Sequence, residues 1–126
     1  MVILIVDSSG LITERIANLL SESGNPNDVY RAVSYEEADK LLEVVKADII
    51  LLDIFLPENR SLDLLKKAKE IDAETQIIML TSEAEIYNKA RYQYIGAALF
   101  LDKYHEFEKI PVAIDTIMIE KNILPG

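Results

Sequence analysis

Four side chains with the means to do chemistry follow directly on apolar runs. Asp7 comes after Val2–Val6, Asp53 after Ile49–Leu52, Thr81 after Gln76–Leu80, and Lys103 just past Ala98–Leu101. The run from Ala47 to Asp53 is the most informative of these. An apolar stretch of strand length ends in a carboxylate, and a rigid turn at Pro57 follows, which is how a buried strand delivers one charged group to the rim of a sheet. Asp53 therefore reads as the working residue, modified covalently. Two carboxylates brought close together repel and raise each other's pKa unless a cation sits between them. A hard divalent cation that takes few carboxylates and keeps several waters, magnesium above all, is the natural occupant. A hydroxyl and an ammonium complete a set able to hold a phosphoryl group: the lysine balances its charge, the hydroxyl donates a hydrogen bond and the metal bridges its oxygens.

That chemistry requires elements that bring the residues together. Short apolar runs alternate with longer amphipathic stretches five times. The strands are expected at Val2–Val6, Val29–Val33, the Asp53 run, Gln76–Leu80 and Ala98–Leu101. The first helix carries Leu11, Ile12, Ile16, Leu19 and Leu20 and stops at Gly24. Ser34 and Glu37 form a capping box for the second, which runs to about Val45. Ser61 reads as the cap of the third, with Leu62, Leu64, Leu65, Ala68 and Ile71 facing inward. Ser82 and Glu85 open a fourth through Ile86, Ala90 and Tyr94, and Gly96 ends it. The fifth starts around Phe107–Pro111 and continues to about Asn122. Strands alternating with helices predict an α/β protein: a three-layer αβα sandwich with five parallel strands and five helices. In such sheets the functional crevice lies beyond the carboxyl ends of the strands, where the strand order reverses. In the order 2-1-3-4-5 that point falls between the first and third strands, and Asp7, Asp53, Thr81 and Lys103 share one rim.

Composition narrows the function classes. The chain has 126 residues, 50% apolar and 28% charged, as in one ordinary globular domain. It has no cysteine, so disulfides, thiolate nucleophiles and zinc–thiolate sites are excluded. No apolar stretch approaches the roughly 20 residues of a membrane span. The start lacks the basic flank of a signal peptide, so a cytoplasmic protein is expected. A formal charge of −9 repels a phosphate backbone and argues against direct nucleic-acid binding.

With these residues in order, the whole chain, 1–126, resembles a single receiver domain of two-component response regulators, a flavodoxin-like fold. The resemblance rests on Asp7, on Asp53 with Pro57 four residues beyond, on Thr81, and on the Phe100-Leu101-Asp102-Lys103 segment. It implies that Asp53 is the phosphoacceptor, taking a phosphoryl group from a phosphohistidine on a sensor histidine kinase or phosphotransfer protein. Asp7, Asp53 and the backbone carbonyl of Phe55 would hold Mg2+ or Mn2+. Lys103 and Thr81 would act on the phosphoryl group, and Thr81 and Phe100 would form the switch. Three positions depart from the family pattern. Ser8 replaces the second of two adjacent acids, which should weaken metal binding and relieve repulsion on Asp53; Ser8 can hold a metal-bound water, and Glu58 is a candidate substitute. Ser61 stands where the family has glycine. Tyr104 replaces the proline after the lysine, so no cis bond is expected there.

Taken one at a time, several residues have plainer readings. Alone, Asp7 would be a helix cap and Lys103 a solvated loop lysine. His105, the only histidine, reads as a solvent-facing loop residue, and Tyr87, Tyr92 and Tyr94 as packing, with Tyr92 pointing away from the helix stripe. The last helix is apolar on two sides: Ile110, Ala113, Ile114 and Ile117 form the core stripe, and Val112, Thr116, Ile119 and Ile123 lie opposite. A partner is therefore expected on the face made by the fourth helix, fifth strand and fifth helix, either a downstream protein or a second copy in a homodimer. The chain is expected to act alone or as a domain of a longer protein. The alternative function is a pseudo-receiver, a phosphorylation-independent binding module. The loop Asp7-Ser8-Ser9-Gly10 also has weak similarity to a flavodoxin phosphate loop and to the aspartate loop of haloacid-dehalogenase-type phosphatases, without the glycines or second acid either would need.

Overall fold

The computed structural model describes residues 1–23, 28–81, 93 and 95–121. Five strands, β1 (Val2–Val6), β2 (Asp28–Ala32), β3 (Ile49–Asp53), β4 (Gln76–Thr81) and β5 (Leu99–Asp102), form one sheet in the order β2-β1-β3-β4-β5. Every neighbouring pair is parallel. The order reverses between β1 and β3, which pair from Ile3↔Ile49 to Val6↔Leu52. Asp7 and Asp53 thus leave adjacent strands at the same end, as the sequence predicts.

The described α-helices are α1 (Gly10–Glu22), α2 (Tyr35–Val44), α3 (Arg60–Ile71) and a C-terminal helix (Ile110–Glu120). The fourth helix predicted from Ser82 to Tyr94, with Tyr87 and Tyr92, lies outside the described residues apart from Gln93, as do Gly24, Asn122 and Ile123. Alternation along the strands sorts the core into two halves. Leu4, Val6, Ile50, Leu52, Ile77 and Met79 pack under α2 and α3. Ile3, Ile5, Ile49, Leu51, Ile78 and Leu80 pack under α1 and the C-terminal helix. All five residues of β3 are buried, which explains its unbroken apolar run.

The helix starts follow local chemistry. Ser9 caps α1 through Ile12 N–H, and Ser34 caps α2 through Glu37 N–H at 3.1 Å. Glu37 reaches back to Val33 N–H at 3.0 Å, one residue before the cap, so the box closes slightly wide. At the amino end of the sheet, Asp48 Oδ2 accepts from Val2 N–H and Thr75 Oγ1 donates to Ala47 C=O. At the end of α3, Lys69 Nζ donates to the carbonyls of Ala73 and Thr75. Its stem passes close under Gly96, whose φ of +123° excludes most side chains. Two residues of the predicted helical stripes are exposed: Leu11, in the first turn of α1, and Ile71, the last residue of α3, which the sequence predicts to face inward.

Candidate functional site

The carboxylate of Asp7 is fully buried at the end of β1 and that of Asp53 nearly so at the end of β3. Lys103, from the loop after β5, reaches across the rim between them. Its Nζ lies 3.1 Å from Asp7 Oδ2 and 3.4 Å from Asp53 Oδ1. Three of the residues predicted to converge therefore meet, although Asp7 and Lys103 are 96 residues apart in sequence.

Each carboxylate is also held by its own turn. Asp7 Oδ1 accepts from Ser9 N–H at 2.8 Å. The cap of α1 is thus Ser9, and Asp7 serves the turn before it. Asp53 Oδ1 accepts from Phe55 N–H at 3.0 Å. Both contacts of Asp53 fall on Oδ1, and Oδ2 takes part in neither. Burial pushes the Asp53 carboxyl above its ordinary value; the Phe55 N–H and Lys103 oppose the rise, and Asp7 adds to it. Burial works against the charge on Lys103, but Asp53 and then Asp7 outweigh it and raise the ammonium pKa.

Thr81 ends β4 opposite Asp102. Its hydroxyl is turned toward β5 and donates to Leu101 C=O at 3.4 Å, the long limit of a hydrogen bond. Its carbonyl accepts from Lys103 N–H at 2.9 Å, so β4 helps fix the backbone that aims the lysine. Phe100 pairs with Met79 and packs half-buried against the core on the α2–α3 side. The Phe55 side chain is exposed. Ser8 is exposed at the same rim, and His105 faces solvent beside Asp102 Oδ2 at 3.2 Å.

Two features were missed in the sequence. The first is Ser61, read above as a helix cap. It does not cap α3. Its buried Oγ turns back to the acceptor turn, donating to Asp53 C=O at 2.6 Å and accepting from Leu56 N–H at 2.9 Å. The second is Asp102, whose Oδ1 accepts from the N–H groups of Tyr104 and His105, both at 2.8 Å. Although burial raises its pKa, these two N–H groups outweigh it and hold the carboxyl below its ordinary range. This turn shapes the loop carrying Lys103 where Tyr104 stands in place of a rigid proline. An aspartate two and three residues before turn amides is the signal that marks it. No cis peptide bond is present among the described residues.

Glu58, in the turn after Pro57, adopts φ 63° and ψ 24° and is exposed. A non-glycine residue in this left-handed conformation costs about 1–2 kcal/mol, less for asparagine. Glu58→Asn should therefore raise stability by about 0.5–1 kcal/mol, read as a shift in urea midpoint with unchanged slope. An equal or lower midpoint would show that the turn is not strained.

Among the described residues no three acidic or histidine side chains gather as a metal cluster. The donor chemistry nevertheless fits magnesium, which needs only one or two carboxylates and completes its shell with water. Asp7 and Asp53 present two buried carboxylates at one rim, balanced among the described residues by the Lys103 ammonium.

An open parallel sheet with paired carboxylates and a lysine at its switch point defines a receiver-type α/β domain. The chain matches the response regulator receiver domain over residues 3–115 and belongs to that family. It is 34% identical over 103 residues to the phosphate regulon transcriptional regulatory protein PhoB of Pseudomonas aeruginosa, covering 80% of this chain and 44% of that protein. It is 31% identical over 110 residues to the transcriptional regulatory protein DltR of Streptococcus agalactiae, covering 86% and 47%. The chain thus spans about half the length of these curated relatives. Among solved structures, a response regulator receiver domain protein from Clostridium thermocellum superposes with a TM-score of 0.84 at 26% identity, covering 97% of each chain. A two-component response regulator from Clostridium difficile reaches 0.87 at 24%, covering 97% and 98%. No described helix is long and apolar enough to cross a membrane.

Proposed function

We propose that this receiver domain accepts a phosphoryl group on Asp53 from a phosphohistidine of a sensor kinase or phosphotransfer protein. The observation that carries this reading is the buried triad, with Lys103 Nζ within 3.4 Å of Asp53 and 3.1 Å of Asp7. Asp53 Oδ2 forms the new bond to phosphorus as the bond from phosphorus to imidazole nitrogen breaks, and the imidazole leaves with the electron pair. Lys103 neutralises the transferred oxygens, while Phe55 N–H and Lys103 hold Oδ1 and so orient the attacking carboxylate. Asp7, Asp53 and the Phe55 carbonyl would hold Mg2+ or Mn2+, with Ser8 contributing through a water. When bound, the metal supplies charge neutralisation across the phosphoryl oxygens.

Thr81 and Phe100 are the proposed switch. The 3.4 Å contact from Thr81 to Leu101 costs little to break, which leaves the hydroxyl available to a phosphoryl oxygen. The readout is a population shift of the surface made by β5 and its flanking helices. Val112 at 67% and Ile119 at 45% exposure, on the outer side of the C-terminal helix, support an apolar partner or homodimer contact there. In a dimer, Ile119→Glu should raise the dissociation constant about tenfold; a strictly monomeric protein whose variant kept full partner binding would remove this surface from consideration.

The test is intact mass after incubation with magnesium and acetyl phosphate. Wild type should gain one phosphoryl group and Asp53→Asn none. No gain at any magnesium or manganese concentration would instead favour a phosphorylation-independent binding module.

A further inference from the structure

We propose that Ser61 is a positioning residue for the phosphoacceptor turn, holding the segment from Asp53 to Leu56 through one hydroxyl. This inference rests on the phosphoacceptor reading of Asp53. Ser61 is 0% exposed in the first turn of α3, a place where a serine ordinarily serves its own helix. Here its Oγ points back at the preceding turn, donating to Asp53 C=O at 2.6 Å and accepting from Leu56 N–H at 2.9 Å. The two bonds staple both ends of a four-residue segment. Phe55 lies inside it, with its N–H on Asp53 Oδ1.

The topology explains why the staple is needed. The β3–β4 pairing ends at Asp53↔Leu80, and Ile54 N–H makes the final bond, to Leu80 C=O at 3.0 Å. Successive residues of a strand direct their backbone groups to opposite neighbours, so the Asp53 carbonyl faces β1, whose pairing with β3 ends one residue earlier at Val6↔Leu52, and a buried carbonyl without a partner is costly. The turn is also under tension from Glu58, which holds a positive φ three residues before Ser61. A single hydroxyl able to donate and accept satisfies both backbone groups and keeps the strained turn closed. Alanine or glycine would satisfy neither. The staple therefore sets the direction of the Asp53 carboxylate and of the Phe55 carbonyl together, so it should act on metal affinity and on phosphoryl transfer at once.

The experiment compares wild type, Ser61→Ala and Ser61→Thr by three measurements. In Ser61→Ala the Leu56 amide should exchange roughly tenfold faster relative to the Leu51 amide, following loss of one buried hydrogen bond. The Mg2+ dissociation constant, read from amide shifts without any phosphodonor, should rise about threefold to tenfold, and labelling by acetyl phosphate at saturating Mg2+ should slow by about tenfold. Ser61→Thr, which keeps the hydroxyl, should recover most of both. A folded Ser61→Ala with wild-type metal affinity and a labelling rate within about twofold overturns the proposal, even if its melting temperature falls. If the alanine variant does not fold, Ser61→Cys, nearly isosteric but a weak hydrogen-bonding group, takes its place, and a wild-type rate in it overturns the proposal equally. A wild type that is never labelled sinks the phosphoacceptor reading itself, and this inference falls with it. A labelled wild type beside an unaffected variant sinks only the staple.

Discussion

Replacing Lys103 by methionine should lower the melting temperature at pH 7 by about 10 °C and slow acetyl phosphate labelling about a hundredfold. The ammonium sits between two buried carboxylates and is their shared counter-charge. Removing one member of a buried ion set typically costs about 3–5 kcal/mol, because the remaining charges stay buried without compensation. Two further measurements separate this cause from lost packing. The penalty should shrink as pH falls through the raised pKa of Asp53 and that carboxylate protonates. Adding Mg2+ should also raise the melting temperature more in Lys103→Met than in wild type, since the cation supplies the missing charge. The sign for the lysine itself agrees. Its pKa is raised in the folded state, so its stabilisation is complete below its ordinary value and is lost only as pH rises through the raised one. A variant with an unchanged melting temperature and no enhanced response to Mg2+ would rule out the shared counter-charge.

Asp53→Asn should abolish labelling and at the same time stabilise the metal-free protein at pH 7. Burial, strengthened by Asp7, raises the Asp53 pKa above its ordinary value of 3.8. The folded state therefore holds the proton more tightly than the unfolded chain, and stability falls as pH rises from 3.8 through the raised value. Above that value the penalty is complete. Asparagine carries no such penalty, while Lys103 keeps Asp7 at 3.1 Å. A rise of a few degrees at pH 7 is expected, the size about 1 kcal/mol makes in a domain of this length. The gain should vanish below pH 4. Equal melting temperatures across that pH range would show that Asp53 is not strained by its burial. A carboxylate that destabilises the fold it belongs to is what a functional group retained against stability looks like.

The exposed helix ends show one limit of periodicity. Leu11 and Ile71 match the helical stripe, yet both lie at helix ends and are exposed. The stripe gives the direction of a side chain but not the edge of the surface it would meet. The two serines at cap-like positions show another. Ser34 and Ser61 both precede or open an apolar helical stretch with hydroxyls at cap-like positions. Ser34 caps its helix, and Ser61 leaves its helix for the turn behind it. What separates them is the Asp53 carbonyl, which lies within reach of Ser61 only because β3 ends eight residues earlier at the same place.

The alternation of apolar runs and amphipathic stretches was enough to determine the five parallel strands, because the periods of two and 3.6 and the parallel crossover rule leave few arrangements. It also determined the common rim of Asp7, Asp53, Thr81 and Lys103, since strand ends in a parallel sheet all point one way. Tertiary structure alone decided which of the four touch. Lys103 bridges both carboxylates, while the Thr81 hydroxyl rests on β5. That choice depends on a few ångströms of loop path, shaped by the N–H groups of Tyr104 and His105 that donate to Asp102 and by the Ser61 hydroxyl that donates to the Asp53 carbonyl eight residues earlier. Residue type and spacing record which groups can bond, but only the folded chain brings a particular hydroxyl to a particular carbonyl.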